Sequence, residues 1–383
     1  MAVSLLAREV SDLCLGKPAL RPLSATATVA EALSALKRLG EASLGVWSCD
    51  HSSDDHQCRC VGKICMVDVI CFLSREENLA SPASALQAPL SLLLPKVPGL
   101  VMHLEPNARL LDAIDLILEG AQNLVIPIQA SRKKLYQKPT SFNSARHNNR
   151  EYCWVTQEDI IRYLLNCIGL FSPTPANPIS SLNVIDDQNI FAVHYDDPAS
   201  AALPLITHSL VRQTSVAVVD GDGKLVGEIS PATLNSCDET VVAAIATLSV
   251  GDLMAYIDCG GPPEDLLQLV KDRLQERNYG ALLEFIAEDS AISSSSSLCS
   301  SSSDEEFGFG KSGKFGGNSA AKMGRSSEAI VSYPWSSLVA VMIQALAHRL
   351  SYVWVVEEDG TLTGIVTFAE MLKVFRERLN SMA

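Results

Sequence analysis

The chain has 383 residues, room for two domains of ordinary size, and 47% of them are hydrophobic. A formal charge of −14 at pH 7 argues against a general nucleic-acid binder, and no apolar run approaches the roughly 20 residues that span a bilayer. Arg8 and Glu9 stand too early for a signal peptide, so the expectation is a cytoplasmic or nuclear protein without membrane or nucleic-acid partners, its eleven cysteines mostly reduced.

In chain order, Val29 to Leu39 reads as a helix, Gly45 to Trp47 as a strand, and Gly62 to Leu73 (GKICMVDVICFL) as a closing strand and helix. Ser48 to Cys60 (SCDHSSDDHQCRC) is inserted in the hairpin between them, and an Ala- and Ser-rich linker, Ser74 to Leu94, follows. The pattern returns with a helix at Leu110 to Leu118, a strand at Asn123 to Ile128 and a close in YCWVTQEDIIRYLL; its hairpin carries a basic, turn-rich insertion, Ser131 to Arg150. Three prolines within Ser172 to Ser181 mark a boundary between halves. The third copy runs from Leu182 to Asn235 and is followed by helices at Glu239 to Leu248 and Glu264 to Glu284. Ser290 to Ser327 is Ser/Gly-rich with almost no periodic apolar residues, which predicts a disordered linker.

The last copy is the clearest. A helix over Ser336 to Leu350 precedes an unbroken apolar strand, Tyr352 to Val356, a turn at Asp359-Gly360, a returning strand over Thr361 to Val366, and an amphipathic helix through Leu379. The register between copies is tight: Val219 to Gly227 and Val356 to Gly364 are both eight steps, with Gly223 matching Gly360.

Strand, helix, then D-G-x-x-x-G-x-x-[ST]-x-x-[DE] resembles the cystathionine-β-synthase (CBS) domain, and four copies with no catalytic domain resemble the plant CBS-domain-containing proteins of the four-repeat type. The resemblance implies an α/β fold of the α+β type, with four β-α-β-β-α repeats paired into two pseudo-symmetric modules, repeat one with two and three with four. Residues 1–75, 76–168, 182–235 and 328–383 are the repeats; 236–289 is a helical insertion and 290–327 the linker. It also implies a non-enzyme that binds an adenine nucleotide or S-adenosyl ligand and regulates a protein partner, with a homodimer through the modules as one arrangement.

In such domains the hydroxyl residue of the last motif contacts phosphate or ribose, and the carboxylate accepts from the ribose diol. Repeat two has Thr156 and Asp159, and repeat four has Thr367 and Glu370. Repeat one keeps Asp68 but has Cys65 in the hydroxyl position; repeat three keeps Ser230 but has Thr233 where the acid belongs. The same residues also make a capping box that does no more than start a helix. Both readings stand at the level of sequence, and with them two functions: a ligand-sensing regulator and a ligand-free interaction scaffold.

Cys49, His51, His56, Cys58 and Cys60 fall within twelve residues, a set able to complete a tetrahedral zinc site, although C-x-C is tighter than the usual finger spacing. A solvated loop with free thiols and a redox pair of Cys58 with Cys60 are the alternatives. Gly308 to Lys314 imitates a phosphate loop but follows a serine tract, with Phe315 where Ser or Thr belongs, and reads as linker.

Overall fold

The computed structural model describes residues 8–40, 42–50, 57–128, 150–258, 263–286 and 327–382. Four small sheets organise it, each of three strands in chain order. In every sheet the first pair is parallel and the second antiparallel. Parallel neighbours need a crossover while antiparallel ones accept a hairpin, so one helix lies between strands one and two and another follows strand three.

The first sheet is β1 (Pro22–Ser24), β2 (Leu44–Asp50) and β3 (Gln57–Ile64), with helices α1 (Val29–Leu39) and α2 (Met66–Leu73). The second is β4 (Val101–His103), β5 (Asn123–Ile128) and β6 (Glu151–Thr156), with α3 (Leu110–Leu118) and α4 (Gln157–Asn166). The third is β7 (Ala192–His194), β8 (Val216–Val219) and β9 (Leu225–Ile229), with α5 (Ala202–Arg212) and the single turn α6 (Pro231–Leu234). Helices α7 (Val241–Thr247), α8 (Val250–Asp258) and α9 (Glu264–Glu276) come next. The fourth sheet is β10 (Val331–Ser332), β11 (Tyr352–Val356) and β12 (Leu362–Thr367), with α10 (Leu338–His348) and α11 (Phe368–Met382).

The apolar run in β11 is buried at every position because its two faces meet different partners. Side chains alternate across a strand. Val353 and Val355 point into a helical core, whereas Tyr352 and Trp354 pack with Ala217 and Ile365 against the third sheet. The first and second sheets face each other in the same way through Trp47, Cys60 and Val125. Hairpin tips interlock as well: Leu225 N–H donates to Gly360 O and Leu362 N–H to Gly223 O. Gly223 (φ +77°) and Gly360 (φ +87°) hold the left-handed conformation these turns require.

The modules are therefore repeats one with two and three with four, joined through their sheets. Their helices then pack across modules. Those of repeat one share a core with those of repeat three and with α7–α9, and those of repeat two share one with repeat four. Arg376 clasps Asp115 at 2.6 and 2.9 Å, and Phe171 meets Phe375 edge-on at 4.8 Å.

Four local expectations change. Ser74 to Leu94 is a packed connector of short helical turns, because Leu79, Ala85 and Leu90 are buried. The helix expected over Glu264 to Glu284 ends at Glu276; Asn278 turns left-handed (φ +57°) before residues 280–286 resume a helix. Ser327, assigned to the linker, is buried and its N–H and hydroxyl both bond Asp258. Cys49, Cys58 and Cys60 lie in the β2–β3 ladder rather than in a loop. Residues 131–149 and 290–326, with the basic insertion, the serine tract and the Gly308–Lys314 motif, lie outside the described residues.

Candidate functional site

Each repeat places the two motif positions where strand three turns into the following helix, next to the segment leading into the partner repeat. The lead-in crosses strand three very closely. A Cβ added at Gly364 would sit 2.4 Å from Ile185 Cγ2 and 3.2 Å from Asp186 O; at Gly62 it would meet Leu94 at 2.3 Å. This is why glycine stands three residues before the hydroxyl position in repeats one, three and four. The lead-in is thus positioned to line, or to fill, the space over the motif.

In repeat one the space is filled. The Cys65 N–H and thiol both donate to Asp68 Oδ2, at 2.8 and 2.9 Å, and the free Met66 N–H of α2 is taken by Asn235 Oδ1 at 2.8 Å. Burial pushes the Asp68 carboxyl up, against the hydrogen bonds from Cys65 and the charge of Lys63. In repeat three, Ser230 and Thr233 bond each other at 2.7 Å and both are buried, while Met254 and Ser327 O close over Gly227. A single-turn helix follows, so little helix dipole is available there.

Repeat two keeps both motif residues but they satisfy each other. Thr156 donates from its N–H (2.8 Å) and its hydroxyl (3.0 Å) to Asp159 Oδ2, and Lys17 from the first lead-in reaches Asp159 Oδ1 at 2.6 Å.

Repeat four is open. Thr367 Oγ1 accepts from Glu370 N–H at 3.2 Å, and Glu370 bonds Lys373 at 2.7 Å on its exposed side. These three residues line a cavity of about 200 Å³ whose other walls include Asp186, Gln213 and Thr214 of repeat three and Gln122 of repeat two. Gln122 fastens the wall by donating to Leu210 O and Val211 O at the end of α5. Asp186 is held below the usual carboxylate range. Burial works against this, but bonds from Asn189 and the backbone of residues 188 and 189, with Arg212 nearby, prevail. Gln213 Oε1 and Thr214 Oγ1 are buried with no hydrogen-bond partner among the described residues, and both residues line this cavity. Buried polar atoms left without partners are costly, and two of them at one cavity are what a polar ligand would satisfy.

Among the described residues, the candidate metal ligands form no set able to hold a metal. His51 and His56 lie outside the described residues, and no group of three or more His, Cys, Asp or Glu able to hold a metal occurs among those described. Cys49 faces Cys58 across the ladder. Burial and the neighbouring Cys58 push Cys49 up to about 11. Burial pushes Cys60 up to about 12, so these thiols resist becoming the thiolates zinc requires. Cys58 and Cys60 lie two positions apart on β3, and Cys49 stands opposite Cys58.

Sequence reasoning missed Lys17, Asp186, Gln213, Thr214 and Gln122. Lys17 stands alone in its segment and carries no motif. Asp186, Gln213, Thr214 and Gln122 likewise belong to none, since their meeting depends on how three repeats pack.

Comparison with known proteins agrees with the repeat structure. A family model for the CBS domain matches residues 183–235 and 336–377. CBS domain-containing protein CBSX5 of Arabidopsis thaliana is 48% identical over 398 residues, covering 100% of both chains. SNF1-related protein kinase regulatory subunit gamma-like PV42b of Arabidopsis thaliana is 22% identical, covering 98% of this chain and 96% of its own. Among solved structures, protein MJ1225 from Methanocaldococcus jannaschii superposes with a TM-score of 0.55 at 15% identity, over 96% of this chain and 100% of that one. No helix of the described residues is long and apolar enough to cross a membrane.

Proposed function

Because the chain belongs to the CBS-domain-containing proteins, of the plant four-repeat type without a catalytic domain, we propose that it is a non-catalytic regulator that binds an adenine nucleotide or adenosyl ligand in the cavity over Thr367 and Glu370. The observation that carries this reading is the pair of unpartnered buried atoms, Gln213 Oε1 and Thr214 Oγ1, at that cavity. The chemistry is divided among the walls. Glu370 offers an acceptor for a ribose diol once Lys373 turns away. Thr367, at the positive end of the α11 dipole, suits a phosphate, with Lys373 and Arg212 supplying positive charge. Gln213 and Thr214 are left to meet the base. At about 200 Å³ the cavity is below the ~300–1,000 Å³ of typical ligand sites, which favours a mononucleotide or smaller over a dinucleotide.

Ligand occupancy would be felt in three repeats at once, since the cavity is walled by repeats two, three and four. That is the arrangement a protein partner could read, and the relative named as a kinase regulatory subunit supports a regulatory role. The helical faces of both modules are already covered within one chain. This supports a single chain as the ligand-binding unit over a homodimer built through those faces. Zinc has no part in the proposal.

Calorimetric titration with AMP, ATP and S-adenosylmethionine tests the reading. One site per chain, weakened in Glu370→Ala and kept in Asp159→Ala, is expected. Absence of heat and of any melting shift with all three at millimolar concentration would leave the scaffold reading, which the sealed motifs of repeats one and three favour.

A further inference from the structure

Cys153 occupies a position that is glycine in the other three repeats: it lies three residues before Thr156, as Gly62, Gly227 and Gly364 lie before Cys65, Ser230 and Thr367. At each of those glycines the crossing segment is 2.3–2.4 Å from an added Cβ. In repeat two the crossing segment is the first lead-in, whose turn Val10–Cys14 packs on β5 and β6. The residue that stands beside Cys153 there is Cys14, at the end of that turn and packed on the same core. Cys153 is fully buried, whereas Cys14 is only partly so and also reaches Val10 O at 3.5 Å.

The two sulfurs are not equivalent. The Cys14 thiol is held below its ordinary value, first by its bond from Cys153 and then, against burial, by the charge of Lys17. Cys153 is pushed up, by the same bond and by burial. Cys14 is reachable and is the one held lower, and Cys153 lies buried behind it, which is the arrangement of an attacking and a resolving cysteine. Cys49 and Cys58, the other facing pair, lack this asymmetry of access, and burial keeps Cys49 protonated.

We propose that Cys14 and Cys153 are an oxidation site, at which a hydroperoxide converts the two thiols to an intramolecular disulfide joining the first lead-in to the third strand of repeat two. The Cys14 thiolate attacks the terminal peroxide oxygen, the O–O bond breaks, and the departing alkoxide or hydroxide takes a proton. Cys14 is then a sulfenic acid. The Cys153 sulfur attacks the Cys14 sulfur, the S–O bond breaks, and hydroxide leaves as water with the proton from Cys153. Two thiols and one hydroperoxide give one disulfide, one alcohol or water, and one water. Because Lys17 lies three residues beyond Cys14 and Thr156 three beyond Cys153, the bond staples both sides of Asp159 and holds Lys17 on it.

The experiment needs no ligand and therefore fails or succeeds independently of the proposed nucleotide site. Reduced full-length protein is treated with hydrogen peroxide, remaining thiols are alkylated, and the chain is mapped by mass spectrometry without reduction. The expected result is a linked Cys14–Cys153 peptide with both residues lost from the alkylated pool. Cys153→Ala, a change toward the glycine of the other repeats, should abolish the link and leave Cys14 as a sulfenic acid trapped by dimedone. Cys14→Ser should leave Cys153 reduced. Both residues still alkylated in the wild type while other cysteines oxidise overturns the proposal, and so does a Cys153→Ala protein without a dimedone adduct at Cys14. The wild-type map decides the matter even where a variant does not fold.

Discussion

Repeats two and four carry the same motif and do different things with it. In repeat two the carboxylate is Asp159, short enough for Thr156 to reach with both its N–H and its hydroxyl, and its remaining oxygen is taken by Lys17 at 2.6 Å. In repeat four it is Glu370, one methylene longer, and its cation is Lys373 on the same exposed face of α11. The lead-in differs too: Asp186 folds into its own turn with Asn189 and leaves the space over Thr367 empty, where Lys17 fills the equivalent space. A capping box and a ligand site are therefore one motif in two surroundings. What separates them is whether the crossing segment brings a cation to the carboxylate.

The comparison breaks most readily at the crossing itself. Gly364→Val places side-chain atoms where Ile185 and Asp186 O already are, so a loss of about 3 kcal/mol is expected from urea unfolding. Ligand-induced stabilisation should vanish with it, since Asp186 must move. Gly221→Ala, in a hairpin tip with nothing within 4 Å, serves as the neutral control.

The carboxylates come next. Glu370→Ala should lower ligand affinity by about ten- to a hundredfold, equivalent to roughly 1–3 kcal/mol for an unmatched pair of ribose hydroxyls. It should barely change the melting point of the free protein, because the ion pair it removes is an exposed one. Asp159→Ala should do the reverse, lowering the melting point without ligand and sparing binding. Equal effects of the two variants on binding would erase the distinction drawn between the clefts.

Lys17→Met asks whether one cation closes the first cleft. Stability should fall by about 1 kcal/mol, as for a partly exposed pair. A second, weaker binding event in calorimetry should appear as Asp159 is released. The titration staying at one site would show that closure lies in the backbone crossing rather than in the lysine.

The smallest effect concerns the sealed motif of repeat one. The Asp68 carboxyl is raised by burial. A group that binds its proton more tightly folded than unfolded favours the fold below the ordinary carboxylate value, and that contribution is lost as pH rises through the raised value. Wild-type stability should therefore fall more than that of Asp68→Asn between about pH 4 and pH 7, by no more than ~1 kcal/mol. Parallel pH profiles in urea unfolding would show that burial does not penalise this carboxylate.

The repeats were legible in the sequence because they rest on local physics. The unbroken apolar run of Tyr352–Val356, the tips at Gly223 and Gly360 with positive φ, and the hydroxyl residue that starts the closing helix in repeats two, three and four are properties of short segments. The inserted hairpin in repeat one misled, since SCD and QCRC look like loop yet extend the ladder; pairing of Cys49 with Cys58 is a cross-strand fact that neither segment carries alone. The pairing of helices across modules, one with three and two with four, was likewise out of reach, because an amphipathic face states that it will be covered and not by what. The motifs of repeats two and four are alike in sequence, and only packing makes one a junction capped by a lysine and the other a cavity. Gln213, Thr214 and Gln122 belong to no motif, and they meet at that cavity because three repeats converge there. The sequence by itself determined the strands, helices and turns, since those follow from the nearest residues along the chain. Which cleft stays open was decided by the tertiary structure, since it depends on groups far apart in the chain, such as Lys17 and Asp159, 142 residues apart, arriving at one point.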